Sequence, residues 1–174
     1  VPQTNGRIRI QVNQSASIYK QADISNTENV FDDNWHLIGF TYSQSSDEML
    51  LFMDGALANT IPVRNDSLTG IQQTSVKTGI GCDYDSAGNP RRFFEGLIDE
   101  VSVWNKALSE AEIAEIYAGG IPGNLKGHSA ESNNTVWWKM GDNDVAPTIA
   151  DNKGSNNLTM FNMDATNFTT DVPE

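Results

Sequence analysis

The sequence is poor in cysteine, histidine and positive charge. Its 174 residues include one cysteine, Cys82, so no disulfide can form within the chain. The two histidines, His36 and His128, lie far apart and do not form the His/Cys cluster that a zinc site needs. Eleven Lys and Arg residues stand against 23 Asp and Glu residues, which gives a formal net charge of −12. This charge disfavours binding to the phosphate backbone of nucleic acids or to an anionic membrane surface.

Long apolar runs are missing as well. Nothing in the sequence approaches the roughly 20 consecutive apolar residues that cross a bilayer, so we predict no membrane partner. A chain of this length buries enough surface for one core, and we predict a single domain over residues 1–174.

Alternation of apolar and polar residues predicts strands in the first half of the chain. Residues 7–12 alternate strictly and predict a half-buried strand. Residues 35–42 are apolar on both faces, which predicts a central strand covered on both sides, and residues 48–53 return as its hairpin partner. Asp54-Gly55 indicates a tight turn, so we expect residues 56–63 to pair back and complete a three-stranded meander.

The second half predicts one long strand, one helix and two closing strands. Residues 93–104 read as the long strand, with residues 76–81 as a shorter strand before it. Ser109 and Glu112 form a capping-box pattern, which predicts one short helix near residues 109–118 that ends at Gly119-Gly120. Within residues 121–174 we predict closing strands at 135–140 and 157–163, followed by a tail.

Several motifs occur in an order that resembles the laminin-G-like and pentraxin family. An FxxDG strand matches residues 52–55, a GxIxxVxxW strand matches 96–104, and an LSxxEI helix before Tyr and Gly-Gly matches 108–120. The resemblance implies an all-β fold, a two-layer antiparallel jelly-roll sandwich of the concanavalin A-like type. Family members normally have several strands before the one matched by 7–12, so we expect those N-terminal strands to be missing or supplied from elsewhere.

The resemblance also implies a metal site, because pentraxins bind calcium through the loop before the GxIxxVxxW strand. We expect one calcium ion here, since Arg91 and Arg92 stand where further acidic ligands would be needed. The ligands implied are Asp83, Asp85, the backbone carbonyl of Tyr84, and Asn5. The alternative from the residues themselves is that the two aspartates close an ordinary Asx-type turn.

Catalytic patterns are weak in this sequence. The same sandwich fold hosts glycoside hydrolases, whose catalytic strand reads Glu-x-Asp-x-Glu so that two carboxylates share one face. Here Asp99 and Glu100 are adjacent and, on a strand, would point to opposite faces. A Gly-x-Ser-x-Gly elbow does not occur either. We predict that the protein is not an enzyme, with a glycoside hydrolase as the least favoured alternative.

Aromatic and histidine residues are expected to divide between core and surface. We expect Trp35, Trp104 and Trp138 in the core, while Trp137, on the opposite face from Trp138, is a candidate for stacking on a sugar or meeting a partner. We expect His128 to lie exposed in a polar loop.

The function implied is a binding or adhesion module that recognises glycans or a protein partner through the loop 82–92 at the sandwich rim. The candidate ligand-binding residues are Asp83, Tyr84, Asp85, Arg91 and Arg92. The alternative is a structural virion protein of a capsid or tail that contacts neighbouring subunits or its own copies, because the run near 171–173 resembles the C-termini of laminin-G-like proteins from marine phage virions. Both alternatives imply an extracellular or virion-surface location.

Overall fold

A computed structural model describes residues 8–24, 30–58, 60–71, 79–85, 87–118 and 124–173. The chain divides into two compact units. Unit 1 comprises the described residues of Val1–Met53 and Leu57–Gly96, and unit 2 comprises those of Asp54–Ala56 and Leu97–Glu174. The single sandwich domain over residues 1–174 therefore stays a prediction.

The described residues form antiparallel strands and one α-helix, in agreement with the all-β prediction. The strands are β1 (Arg9–Asn13), β2 (Tyr19–Ile24), β3 (Ile38–Ser43), β4 (Glu48–Met53), β5 (Ala56–Leu57), β6 (Thr60–Asn65), β7 (Asp83–Tyr84), β8 (Pro90–Arg91), β9 (Val101–Trp104), β10 (Asn134–Trp138), β11 (Thr148–Ile149) and β12 (Leu158–Thr159). The helix is α1 (Glu110–Tyr117), and two short 3₁₀ helices span Glu131–Asn133 and Ala165–Asn167. No helix in the described part of the chain is both long and apolar enough to cross a membrane.

Unit 1 contains a sheet of order β1-β2-β6, with all pairings antiparallel. Ile8, Ile10 and Val12 are buried or partly buried, whereas Arg9 and Gln11 are exposed, so the alternation predicted for residues 7–12 is confirmed where the structure describes it. The core cluster of this unit is formed by Ala22, Ile24, Leu51 and Ala58, with Ile8, Ile10, Ile38, Met49 and Met53 packed against it.

The second sheet has the order β3-β4-β5, which corrects the prediction of which strand is central. Strand β4 lies in the middle, and its neighbouring residues Leu51 and Phe52 are both almost fully buried although they point to opposite faces. Strand β3 lies at the edge in the described chain, and its Phe40 is half exposed. The aromatic run at 35–42 was therefore wrongly read as covered on both sides.

The predicted three-stranded meander is only partly correct. Asp54 and Gly55 have φ of 52° and 80°, as a tight hairpin turn requires, and β5 follows β4 directly. However, strand β5 ends at Leu57, and the next residue, Ala58, donates its N–H to Leu51 O at 2.9 Å and places its side chain in the core. The chain then crosses to the other sheet, where β6 pairs with β2.

Unit 2 contains the pair β9 and β10, in which Trp137 lies opposite Ser102 and Trp138 opposite Val101. The predicted long strand over 93–104 is wrong for its first eight residues, since only Val101–Trp104 is a strand. The cause is visible at Glu100, which adopts φ 52° while its N–H donates to Asp99 Oδ1 at 2.9 Å. A left-handed residue stabilised in this way interrupts an extended strand.

The C-terminal strands are shorter than predicted and are held by one buried carboxylate, that of Asp151. Its Oδ1 accepts from Trp137 N at 3.1 Å and from Lys153 N at 2.9 Å, and its Oδ2 accepts from Asn156 N at 3.0 Å. Burial alone would raise the pKa of Asp151, but these backbone donors lower it. The turn at 151–154 is thus fixed against β10.

Helix α1 begins as the sequence predicts. Ser109 is the N-cap, and its side chain and that of Glu112 complete a capping box. The Lys106 ammonium and the Ser109 N–H stabilise the charged carboxylate and lower the pKa of Glu112 to about 2. The residue that ends the helix is Ala118, in a left-handed conformation at φ 47°, whereas Gly119 and Gly120 lie outside the described residues.

We predict that Ser109→Ala lowers the free energy of unfolding by about 1 kcal/mol, because the N–H of Glu112 loses its acceptor. Thermal unfolding followed by circular dichroism measures the change. Ser155→Ala, at an exposed serine outside the helix, serves as the control and should leave the melting temperature unchanged. Equal melting temperatures for the two variants would contradict a stabilising role for the cap.

Candidate functional site

The predicted loop 82–92 is a short β-hairpin in unit 1. Strands β7 and β8 pair so that Asp83 lies opposite Arg91 and Tyr84 opposite Pro90. At its tip, Asp85 Oδ1 accepts from the backbone N–H groups of Ala87 and Asn89, each at 2.9 Å. The Asn89 donors lead the interactions that lower the pKa of Asp85. Asp85 therefore makes the Asx-type turn that was the alternative to a metal ligand.

Asp83 is held by two arginines. Its Oδ1 accepts from Arg91 Nε at 3.2 Å, and its Oδ2 accepts from Arg92 Nη2. The hydrogen bond from Arg92 leads the effects that lower the pKa of Asp83. Asp83 and both arginines expose a third or more of their side-chain surface, so water screens these ion pairs. The pairs therefore orient the side chains of the hairpin but add little to its stability.

Tyr84, a candidate ligand-binding residue of the predicted loop 82–92, does not lie at the tip of the hairpin. It is in strand β7, it is half-buried, and its ring lies against Gly79, where an added Cβ would come within 2.8 Å of Cε2. Gly79 is needed there because any larger side chain would displace the ring.

The hairpin continues into an exposed pair of aromatic residues that the sequence reading did not single out. Phe93 and Phe94 are 49% and 52% exposed, and they follow Arg91 and Arg92 directly. The N–H of Phe94 donates to Gly81 O at 2.7 Å, which ties this segment to the base of the hairpin. Two arginines and two exposed phenylalanines are thus consecutive in the chain at the end of this hairpin.

Both aspartates of the implied calcium site are engaged by N–H donors in this arrangement. Calcium requires six to eight oxygen ligands, whereas all four carboxylate oxygens of Asp83 and Asp85 already accept from N–H donors, two of them from guanidinium groups. The described residues contain no group of three or more His, Cys, Asp or Glu side chains placed to hold a metal. Asn5 lies outside the described residues, so the calcium site implied by the resemblance stays a prediction.

Two half-buried carboxylates lie in unit 2. Glu100 Oε2 accepts from Trp137 Nε1 at 2.5 Å, and Asp99 Oδ1 accepts from the backbone N–H of Glu100. Burial is the main cause that raises the pKa of both groups. Trp137 is only 3% exposed, so its prediction as a surface stacking residue is wrong.

His128 is buried, which corrects the prediction that it lies exposed. Its Nδ1 accepts from Ala130 N at 3.0 Å, so Nε2 carries the hydrogen and donates to Glu112 O at 2.9 Å. Its ring also packs on Trp104, with the centroids 4.9 Å apart. His128 therefore joins the helix to the Glu131–Asn133 region and has a structural role.

The sequence reading also missed a cleft in unit 1 that contains a buried lysine. Lys20 lies in β2, for which the sequence predicts no strand, and its side chain is 5% exposed. Its Nζ contacts Asn65 Oδ1 at 2.7 Å and Asp47 Oδ2 at 3.2 Å. A lysine among apolar residues conceals the strand pattern, and this is why periodicity did not reveal β2.

The antiparallel sheets of the described residues, together with one capped α-helix, fit a β-sandwich of the kind found in binding modules. Residues 1–114 of the 174 match a laminin G family model described as "Concanavalin A-like lectin/glucanases superfamily". The chain belongs to this family, as its motifs indicate, and the family fold is the predicted antiparallel sandwich. Comparison with curated proteins gives no match, and neither does comparison with solved structures.

We predict that Glu100→Gln raises the melting temperature at neutral pH, because glutamine keeps an acceptor for Trp137 and removes a half-buried charge. A carboxyl whose pKa is raised by folding contributes stability below its ordinary pKa, and that contribution is lost as the pH rises through the raised value. The difference in melting temperature between the variant and the wild type should therefore disappear as the pH falls to about 4. Melting curves across this pH range test the prediction, with Glu95→Gln at an exposed glutamate as the control.

Proposed function

We propose that this protein is a non-enzymatic adhesion module that binds a glycan through the hairpin 82–92. The observation that carries the proposal is the exposed run from Arg91 to Phe94 at the end of a hairpin in which Asp83 and Asp85 accept several hydrogen bonds. Guanidinium groups supply several donors in a fixed plane, and aromatic rings stack on the apolar face of a sugar. A preorganised loop loses little conformational entropy on binding.

The non-enzymatic part of the proposal is supported by the state of the carboxylates in unit 2. A retaining glycosidase needs two carboxyl groups about 5 Å apart that are free to act on a substrate. Glu100 is instead bound to the buried Trp137, and Asp99 to the backbone of its neighbour. Their raised pKa values follow from burial and need no catalytic explanation.

An adhesion role fits an extracellular location, which is typical of laminin G-like domains. The alternative of a structural virion protein shares this fold and would use the same surfaces for contacts between subunits. The two roles differ in whether a soluble ligand exists.

We predict that Arg91→Ala/Phe93→Ala weakens glycan binding about tenfold or more, because it removes one guanidinium and one aromatic contact. A glycan array identifies the ligand, and titration calorimetry measures its dissociation constant. Lys126→Ala/Phe161→Ala, which removes an exposed cation and an exposed phenylalanine from unit 2, is the matched control and should bind like the wild type. Silence across the array, together with multimers in light scattering, would favour the structural role instead.

Thermal unfolding in the presence of calcium tests separately whether the hairpin binds the calcium ion that the family resemblance implies. Since Asp83 and Asp85 are already satisfied by N–H donors, we expect millimolar calcium to leave the melting temperature unchanged. A rise that the double variant Asp83→Asn/Asp85→Asn abolishes would establish the calcium ion and contradict this expectation.

A further inference from the structure

The cleft in unit 1 that contains Lys20 has a volume of about 340 Å³. One side of the cleft is formed by the paired strands β2 and β6, and the other side by residues 46–49 at the turn that joins β3 to β4. All residues that line it are described. This volume is at the lower end of the range in which small-molecule sites occur, so a single small ligand is the appropriate scale.

Lys20 leaves a hydrogen-bond donor within this cleft. An ammonium group has three N–H donors, and the contacts of Lys20 Nζ to Asn65 Oδ1 and Asp47 Oδ2 use two of them. The described residues offer no partner for the third. Since an unsatisfied donor on a buried charge is costly, a hydroxyl or carbonyl of a ligand would be a favourable acceptor there.

Other groups around the cleft have spare hydrogen-bonding capacity. Within the described chain, the Glu48 carboxylate and the Thr60 hydroxyl have no partner, and Asn65 has a free side-chain N–H₂ because only its oxygen is used. Ala22, Met49 and Pro62 contribute apolar surface to the same lining. The lining therefore combines hydrogen-bond donors and acceptors with apolar surface.

The charges that line the cleft cancel. Lys20 and Arg64 carry two positive charges, and Asp47 and Glu48 carry two negative charges. Since the whole chain is strongly acidic, an anionic ligand would gain little from this lining and would be repelled by the rest of the molecule. A ligand with hydroxyl groups and no net charge suits it best.

We propose that this cleft is a second binding site, separate from the hairpin, that takes one neutral sugar ring. The Lys20 ammonium and the Asn65 amide donate to ring or hydroxyl oxygens, and Glu48 and Thr60 accept from hydroxyl groups. The apolar lining contacts the C–H face of the ring. This site does not depend on the hairpin binding a glycan.

Amide NMR titration of the full chain tests the site. The probes are the methyl glycosides of glucose, galactose and mannose, with methyl glucuronide as the charged comparison. We expect saturable shifts of the amides at residues 46–49 and 60–65 with at least one neutral glycoside and a weaker response to the glucuronide. The hairpin amides at 83–92 report in the same spectra, so failure of either site is visible separately.

Thr60→Val and Glu48→Ala are the test variants, since both positions are exposed and neither change removes a contact of Lys20. Together they should weaken binding about tenfold, because each removes one hydrogen bond to the ligand. Thr159→Val, at an exposed strand threonine of unit 2, is the control and should bind like the wild type. Absence of saturable shifts in the cleft, unchanged affinity of the double variant, or tighter binding of the glucuronide would each overturn the proposal.

Discussion

The arrangement of unit 1 depends on the pairing of a buried ammonium with a turn carboxylate. Lys20 stands on the same face of β2 as the core residues Ala22 and Ile24, where a charge is expensive to bury. Asp47 offsets this cost from the β3–β4 turn, and it is itself held by the N–H of Leu68 at 3.1 Å. This donor leads the effects that lower the pKa of Asp47, so the carboxylate stays charged. The pair therefore fixes the hairpin turn relative to the other sheet.

Carboxylates organise loops elsewhere in the chain as well. Asp85 closes the hairpin 82–92, Asp151 fixes the C-terminal turn, and Glu112 caps the helix. Each accepts from backbone N–H groups, which gives acidic side chains a structural use that needs no ion. The acidic composition of the chain is explained in part by these roles.

The sequence predicts well those features that depend on local patterns. The capping box at Ser109, the alternation around Ile10 and the Asp54-Gly55 turn are properties of neighbouring residues, and the structure contains all three. The sequence does not reveal where strands change partner, because the crossing after Ala58 is decided by packing between distant segments.

In the candidate site, too, the sequence predicts the local features but not those that depend on contacts between distant segments. Residue types at 82–92 predicted a loop, but its strand pairing and the contacts of Asp83 with Arg91 and Arg92 follow from register, which a single sequence does not give. The break at Glu100 and the burial of Trp137 and His128 likewise arise from contacts between segments far apart in the chain. Lys20 escaped notice because charge in a core-facing position contradicts the pattern by which strands are recognised.

The passage of the chain from one sheet of unit 1 to the other has a consequence for how this unit opens. Ala58, before the crossing, is hydrogen-bonded to β4, and Thr60, after it, is paired with β2. Only one residue separates these two positions in the chain. If the two sheets separate, the hydrogen bonds of Ala58 to β4 or those of Thr60 to β2 must therefore break. Amide protons in β2 and β4 should therefore exchange with solvent in a common opening event, as members of one cooperative folding unit.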